Sequence, residues 1–452
     1  MENKKSMELF SKAPVSQAVF KNALPAMAAM LMVLVYNLAD TFFIGQTHDA
    51  LQVAAVSLAT PVFLIFMAVG TMFGIGGTSV ISRAIGEGRI EYAKKVCSFC
   101  MWCCVFIGIV MSFCMLIFIN PILSLVGASA DTWEMAKTYL MIVVCCGPFV
   151  LISHCYSNVV RTEGESAKAM MGTLIGNFFN VILDPILILG FEWNIAGAAI
   201  ATVIGNVIGA VYYIGYFIRG KSLLSISLKD FTVKNKVASA VLAIGVPAAL
   251  GSLLMSVSQI IINSQMAEFG DMAIAAMGVA MKVVIITGMV CMGLGQGVQP
   301  ILGYCVGAKL WDRFKKVLRF SLVFSFLLSV VLTGICYLFT NQIVSAFLTD
   351  TTAFRYAVQF SRILLATSFL FGVFYVLTNA LQAMGAATAA LIINVSRQGI
   401  IFIPALFILK MFMGMTGLVW AQPVADVVSL LIAYVLYVNT SKKWLSSRQL
   451  NY

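Results

Sequence analysis

The sequence predicts an all-α integral membrane protein of twelve transmembrane helices, arranged as two six-helix bundles related by a pseudo-two-fold axis along the membrane normal. Three observations predict it. Of 452 residues, 61% are hydrophobic and only 10% charged, against about 25% charged in soluble globular domains. Apolar runs long enough to cross a bilayer as a helix, roughly 20 residues each, recur along the whole chain. The two halves also repeat one another at a shift of about 221 residues.

The apolar runs are continuous rather than alternating, which argues against a strand barrel. The expected spans are 19–44, 52–80, 93–119, 134–160, 168–190, 195–218, 237–263, 274–304, 315–339, 356–382, 388–410 and 415–439. The start, MENKKSMELFSK, is polar, and the first run is too long for a signal-peptide core, so no cleavable signal is expected. The longest polar gap, Arg219–Lys236, reads as a linker. The expected lobes are therefore residues 1–220 and 237–452, with a cytoplasmic linker at 221–236.

Basic residues set the orientation. Lys4, Lys5, Lys12 and Lys21 precede or begin span 1. Arg83, Arg89, Lys94 and Lys95 lie between spans 2 and 3, and Arg161 and Lys168 between spans 4 and 5. Arg219, Lys221, Lys229, Lys234 and Lys236 follow span 6. Lys309, Arg313, Lys315, Lys316 and Arg319 lie around the start of span 9, and Lys442, Lys443 and Arg448 end the chain. All of these fall on one side, whereas the opposite loops hold only Lys137, Arg355 and Lys410. The positive-inside rule places both termini in the cytoplasm of a cell whose inner or plasma membrane holds the protein. The net charge of +11 is thus a topology signal, and no nucleic acid partner is expected.

The repeat is legible in detail. Leu24-Pro25-Ala26 returns as Val246-Pro247-Ala248. The stretch GIGGTSVISRAIGEGRIEYAKKV (74–96) aligns without gaps on GQGVQPILGYCVGAKLWDRFKKV (295–317). Each half holds an even number of spans, so both insert the same way up, an arrangement typical of secondary transporters with a central cleft. The glycine runs follow no strand and lie inside spans, which makes them packing surfaces rather than nucleotide loops. No GxxxxGK[ST] motif occurs, so the energy source is expected to be an ion gradient. Cys97, Cys100, Cys103 and Cys104 cluster without His or carboxylate co-ligands and read as small buried apolar residues. No cofactor and no enzymatic nucleophile–base set is expected.

Three acids lie well inside spans: Asp40, Asp184 and Asp426. A carboxylate in the bilayer costs about 2.5–3.5 kcal/mol on insertion scales, so each is a functional candidate. Spans 1 and 5 both run outward, which puts Asp40 and Asp184 roughly 8–9 Å below the outer boundary at 1.5 Å per residue. Thr202, on the returning span 6, falls at similar depth, and Asn180 lies one turn from Asp184 on the same face. An all-oxygen set of this kind suits a hard cation or a proton. Pro185 removes a donor from the helix and predicts a bend beside Asp184. In the second half, the positions matching Asp40 and Asp184 carry no acid. Asp426 can pair with Arg397 or Arg362, or contact substrate. His154 reads as a hydrogen-bonded helix residue, and Lys282 as a side chain snorkelling outward.

The glycine-rich ends of spans 2 and 8, the six-plus-six repeat, NLADTFFIG (37–45) and NFFNVILDPILI (177–188) together resemble the multidrug and toxic compound extrusion (MATE) family. They are most similar to its bacterial and archaeal branch with acidic residues in the N-terminal half. The resemblance implies a cation-coupled antiporter that exports organic cations and other amphipathic drugs. It also implies that Asp40, Asn180, Asp184 and Thr202, with the carbonyl of Ala198, form the cation site, acting as metal ligands if the coupling ion is Na⁺ and as a proton site if it is H⁺. Tyr36, one turn before Asp40, is the candidate for substrate contact, beside Asp426. The protein is expected to be a monomer in the lipid bilayer. The rival reading is a flippase for lipid-linked oligosaccharide or lipid, which would need a cleft lined by basic residues.

Overall fold

The computed structural model describes residues 8–46, 50–220, 222–234, 236–348 and 350–449. Lys4, Lys5 and Lys221 of the charge pattern lie outside the described residues. Every regular element among the described residues is helical: α1 (Val15–Gly45), α2 (Ala50–Gly86), α3 (Ile90–Ile117), α4 (Ile119–Leu125), α5 (Trp133–Cys145), α6 (Gly147–Val159), α7 (Ser166–Pro185), α8 (Asn194–Ile218), α9 (Val237–Ala267), α10 (Asp271–Gly307), α11 (Trp311–Leu338), α12 (Thr340–Ser345), α13 (Thr351–Ser368), α14 (Phe371–Ala383), α15 (Ala387–Val395) and α16 (Phe402–Gln449). Short 3-10 or π turns extend several of them.

Among the described residues, nine helices are long and apolar enough to span a membrane, and two bent pairs raise the number to eleven. The pairs are α5 with α6, bent by 58°, and α13 with α14, bent by 48°. The first bend coincides with Gly147-Pro148, where α6 starts with proline in its first turn. The run Ala387–Trp444 is counted once but holds Gly414 at φ 59° and ψ −134°. That backbone cannot continue a helix and is open chiefly to glycine. The break divides the run into spans 11 and 12, which completes the expected twelve.

The repeat is visible in the backbone. The helices α1 and α9 both have 31 residues, α2 and α10 both 37, and α3 and α11 both 28. Left-handed residues follow at matching places, Gly88 with Lys309 and Gly164 with Gly385. The helices α2 and α10 run past the expected span ends at 80 and 304. Helical geometry continues through the polar ends until those left-handed residues stop it.

The chain forms two compact units. Among the described residues, the first comprises residues 8–13, 28–245 and 307–309; the second comprises Pro14–Met27, Val246–Val306 and those from Leu310 to 449. In the first unit, a Cβ on Gly176 would lie 2.7 Å from the carbonyl of Gly205, and one on Gly205 would lie 2.7 Å from the carbonyl of Gly176. The glycines bring α7 and α8 into backbone contact, the small-residue packing common between membrane helices. Asn180 and Thr202 flank this contact, so their positions are fixed by it.

The segment after α8 is not a loose linker. Glu163 Oε2 accepts from the Tyr216 hydroxyl at 2.8 Å, and its Oε1 accepts from Ser222 Oγ at 2.8 Å and from the Leu223 N–H. Further on, Ser98 donates to the Ser227 carbonyl at 2.7 Å, Trp102 donates to the Ile226 carbonyl at 3.1 Å, and Phe231 stacks on Phe99.

Candidate functional site

The first unit gathers the acids of spans 1 and 5. Asp184 sits at the end of α7, where Pro185 closes the α-helix and the chain continues as a π-helical turn, Ile186–Gly190. Proline removes the N–H that the helix would use there, and single π turns are frequent at functional positions. Asp184 is fully buried, as are Ala198, one turn before Thr202, and nearly so Asn180 and Thr202. Asp40 is half-buried on α1 and lies close enough to Asp184 for the two carboxylates to interact.

The hydrogen-bond accounting is uneven. Asn180 Nδ2 donates to Thr202 Oγ1 at 3.4 Å, and Asn206 Nδ2 donates to the Thr202 carbonyl at 2.9 Å. By contrast, both oxygens of Asp184, Asp40 Oδ1 and Asn180 Oδ1 are buried and accept no hydrogen bond from the described residues. A buried acceptor without a donor costs about 1–3 kcal/mol, and more when charged. Four such oxygens on facing helices match the donor set a hard cation takes, carboxylate and carbonyl oxygen without nitrogen or sulfur.

Two tyrosines border the set. Tyr36, half-buried one turn before Asp40, comes within interaction range of Asp40, Asp184 and Thr202. So does Tyr139 on α5, which is buried. Sequence reasoning did not single out Tyr139. The depth argument contains the signal: Tyr139 lies six residues into a span that enters from the outer side, level with Asp40 and Thr202.

The second unit holds no counterpart of this arrangement among the described residues. Asp426 is buried and ion-paired to Arg397, with Nε 2.8 Å from Oδ1. Gln422 donates to the same oxygen at 2.9 Å, and Thr367 to the other at 3.4 Å. The Arg397 guanidinium also lies over the rings of Phe371, Phe374 and Tyr375. Arg362 does not join this pair; it lies over the ring of Tyr337. The cysteine cluster makes only weak internal contacts, such as Cys97 with the Tyr156 hydroxyl at 3.7 Å. No group of three or more His, Cys, Asp or Glu among the described residues can hold a metal ion. Any cation at the first site therefore relies on two carboxylates supplemented by amide, hydroxyl or carbonyl oxygens.

Comparison with known proteins agrees with this architecture. The MatE family profile matches the chain twice, over residues 25–186 and 247–408, one match per half. The multidrug export protein MepA of Staphylococcus aureus (strain NCTC 8325 / PS 47) is 32% identical over 431 residues, covering 94% of this chain and 95% of that protein. Its namesake in Staphylococcus saprophyticus is 29% identical over 431 residues, with the same coverage. Among solved structures, a MATE protein in complex with MaL6 superposes with a TM-score of 0.92 at 21% identity, over 98% of this chain and 99% of that one. A single-residue mutant of the Vibrio cholerae MATE transporter VcmN gives 0.88 at 22% identity, over 98% of each chain. The chain is thus a multi-pass membrane protein whose two halves each carry the family fold, and it belongs to the MatE, or multidrug and toxic compound extrusion, family.

Proposed function

We propose that this chain is a secondary multidrug efflux transporter, which exports organic cations and amphipathic drugs by antiport against Na⁺ or H⁺. The relatives' function in multidrug export supports the substrate class. The observation that carries the coupling site is the set of four buried acceptor oxygens, on Asp40, Asn180 and Asp184, that no donor satisfies among the described residues. In this reading Asp40, Asn180, Asp184 and Thr202, with the Ala198 carbonyl, hold the ion. Two neighbouring carboxylates can chelate one sodium or share one proton. The Asn180–Thr202 bond fixes the amide and leaves its oxygen as a ligand. Tyr36 and Tyr139 border the ion, and Tyr36 is our candidate for contact with drug. Asp426 we assign to its pair with Arg397.

The protein works as a monomer in the plasma membrane with both termini cytoplasmic, its lobes built on residues 1–220 and 237–452, with residues 222–231 fastened to the first. Ion binding from outside favours the conformation that releases drug, and drug binding from the cytoplasm or inner leaflet favours the other. Coupling requires each ligand to bind the two states with different affinity.

Efflux of a fluorescent organic cation from cells carrying Asp40→Asn or Asp184→Asn tests the reading. Both variants should fall to the level of cells without the transporter, and wild-type efflux in both would overturn it. Proteoliposomes with separately imposed Na⁺ and pH gradients then identify the ion.

A further inference from the structure

The second unit contains a groove that the transport reading leaves unused. It has a volume of about 660 Å³ and is walled by α11, α13 and the start of span 12 in α16. That volume falls within the roughly 300–1,000 Å³ of small-molecule sites. Tyr337 is the next-to-last residue of α11, Arg355 is four residues into α13, and Thr416 is two residues past the Gly414 break. The groove therefore opens at the membrane face where α11 ends and α13 begins.

Its lining is unusual for a surface that meets lipid. Arg355, Gln359 and Arg362 are exposed on α13, at spacings of four and seven residues that share one helix face. Arg362 lies eleven residues into the helix, roughly 16 Å along its axis. Helical side chains lean toward the N-terminus, and its guanidinium is found 5.5 Å from the centre of the Tyr337 ring, back toward the membrane surface. Neither arginine forms an ion pair among the described residues. Phe354 and Trp420 complete the walls, and aromatic rings of this kind gather at headgroup depth. The groove's lining residues include two guanidinium groups and no carboxylate, one near the start of the helix and the other leaning back toward it, which makes the groove complementary to an anion.

We propose that this groove binds the headgroup of an anionic phospholipid, its phosphate clamped by Arg355 and Arg362 and its glycerol backbone resting on the aromatic walls. Guanidinium recognises phosphate through paired hydrogen bonds, and two uncompensated charges favour a lipid of net negative charge over a zwitterionic one. The inference is independent of the coupling ion and of the drug.

The test uses the full chain purified in neutral detergent, with lipid retention followed by native mass spectrometry. Phosphatidylglycerol should be retained at least tenfold better than phosphatidylcholine of the same acyl chains. Arg355→Gln/Arg362→Gln should lower that retention about tenfold or more, with the unfolding temperature in lipid-free detergent unchanged. Where the double variant unfolds, the single variants Arg355→Gln and Arg362→Gln should each show a loss of several-fold. Equal retention of the two lipids, or undiminished phosphatidylglycerol in the glutamine variants, overturns the proposal. So does release of the lipid by millimolar inorganic phosphate, which would make the groove a site for a soluble anion. Because efflux is not the readout, failure here leaves the transport reading standing, and the reverse holds too.

Discussion

The two halves share one architecture and treat buried charge in opposite ways. In the first unit, Asp184 is buried with neither oxygen satisfied among the described residues. In the second, Asp426 is buried with both oxygens engaged, by Arg397, Gln422 and Thr367. Each half also carries a π-helical turn, after Asp184 in one and around Arg397 in the other. The same local irregularity thus presents an open acid in one unit and a fixed counter-charge in the other. A permanent partner makes a carboxylate structural, whereas a missing one leaves it available to an ion that comes and goes.

The closed side of this contrast is the more sensitive to mutation. Arg397→Met leaves Asp426 buried without its charge partner, and removing one member of a buried pair typically costs about 3–5 kcal/mol. Thermal unfolding in detergent should show a larger loss of stability for this variant than for any change at Asp184 or Tyr139. Arg397→Met/Asp426→Leu should recover most of it, since apolar replacement of a whole pair is often neutral or stabilising. An equal loss in single and double variants would deny that the charge pair is the source.

The open side predicts the reverse sign. Asp184→Asn removes a charge that nothing in the fold compensates, so the unfolding temperature should hold or rise, by the equivalent of roughly 1–3 kcal/mol at most. Measured beside Arg397→Met, it separates an acid kept for function from one kept for structure. A marked drop in stability would mean that Asp184 has a fixed partner after all. The smallest effect belongs to Tyr139→Phe, which keeps the packing and deletes one hydroxyl at the border of the site. Efflux should fall by a few-fold with stability unchanged, about the worth of one hydrogen bond.

Much of this was legible in the sequence because membrane helices must satisfy their backbone internally, so hydropathy reports spans directly. The repeat then supplied symmetry, and the cost of buried acids picked out Asp40, Asp184 and Asp426. The structure added what depends on three-dimensional proximity. Tyr139 is one of 14 tyrosines; its depth matches that of Asp40 and Thr202, but only the packing of α5 beside α8 brings it to them. Asp426 kept two possible partners until the structure gave it Arg397 and turned Arg362 toward Tyr337. The bend between α13 and α14 has no proline within it, unlike the one at Gly147-Pro148; there the Phe369 carbonyl accepts from the Ser329 hydroxyl at 2.7 Å.

The segment following α8 also governs where the chain can be divided. Its polar composition reads as a tether, yet Glu163, Ser98, Trp102 and Phe99 fasten residues 222–231 to the first unit. A two-fragment version of the transporter cut at Gly220 would strip Glu163 of its Ser222 and Leu223 donors and bare the Phe99 face. The usable seam lies beyond Phe231, so the first fragment must carry that stretch as part of its own body.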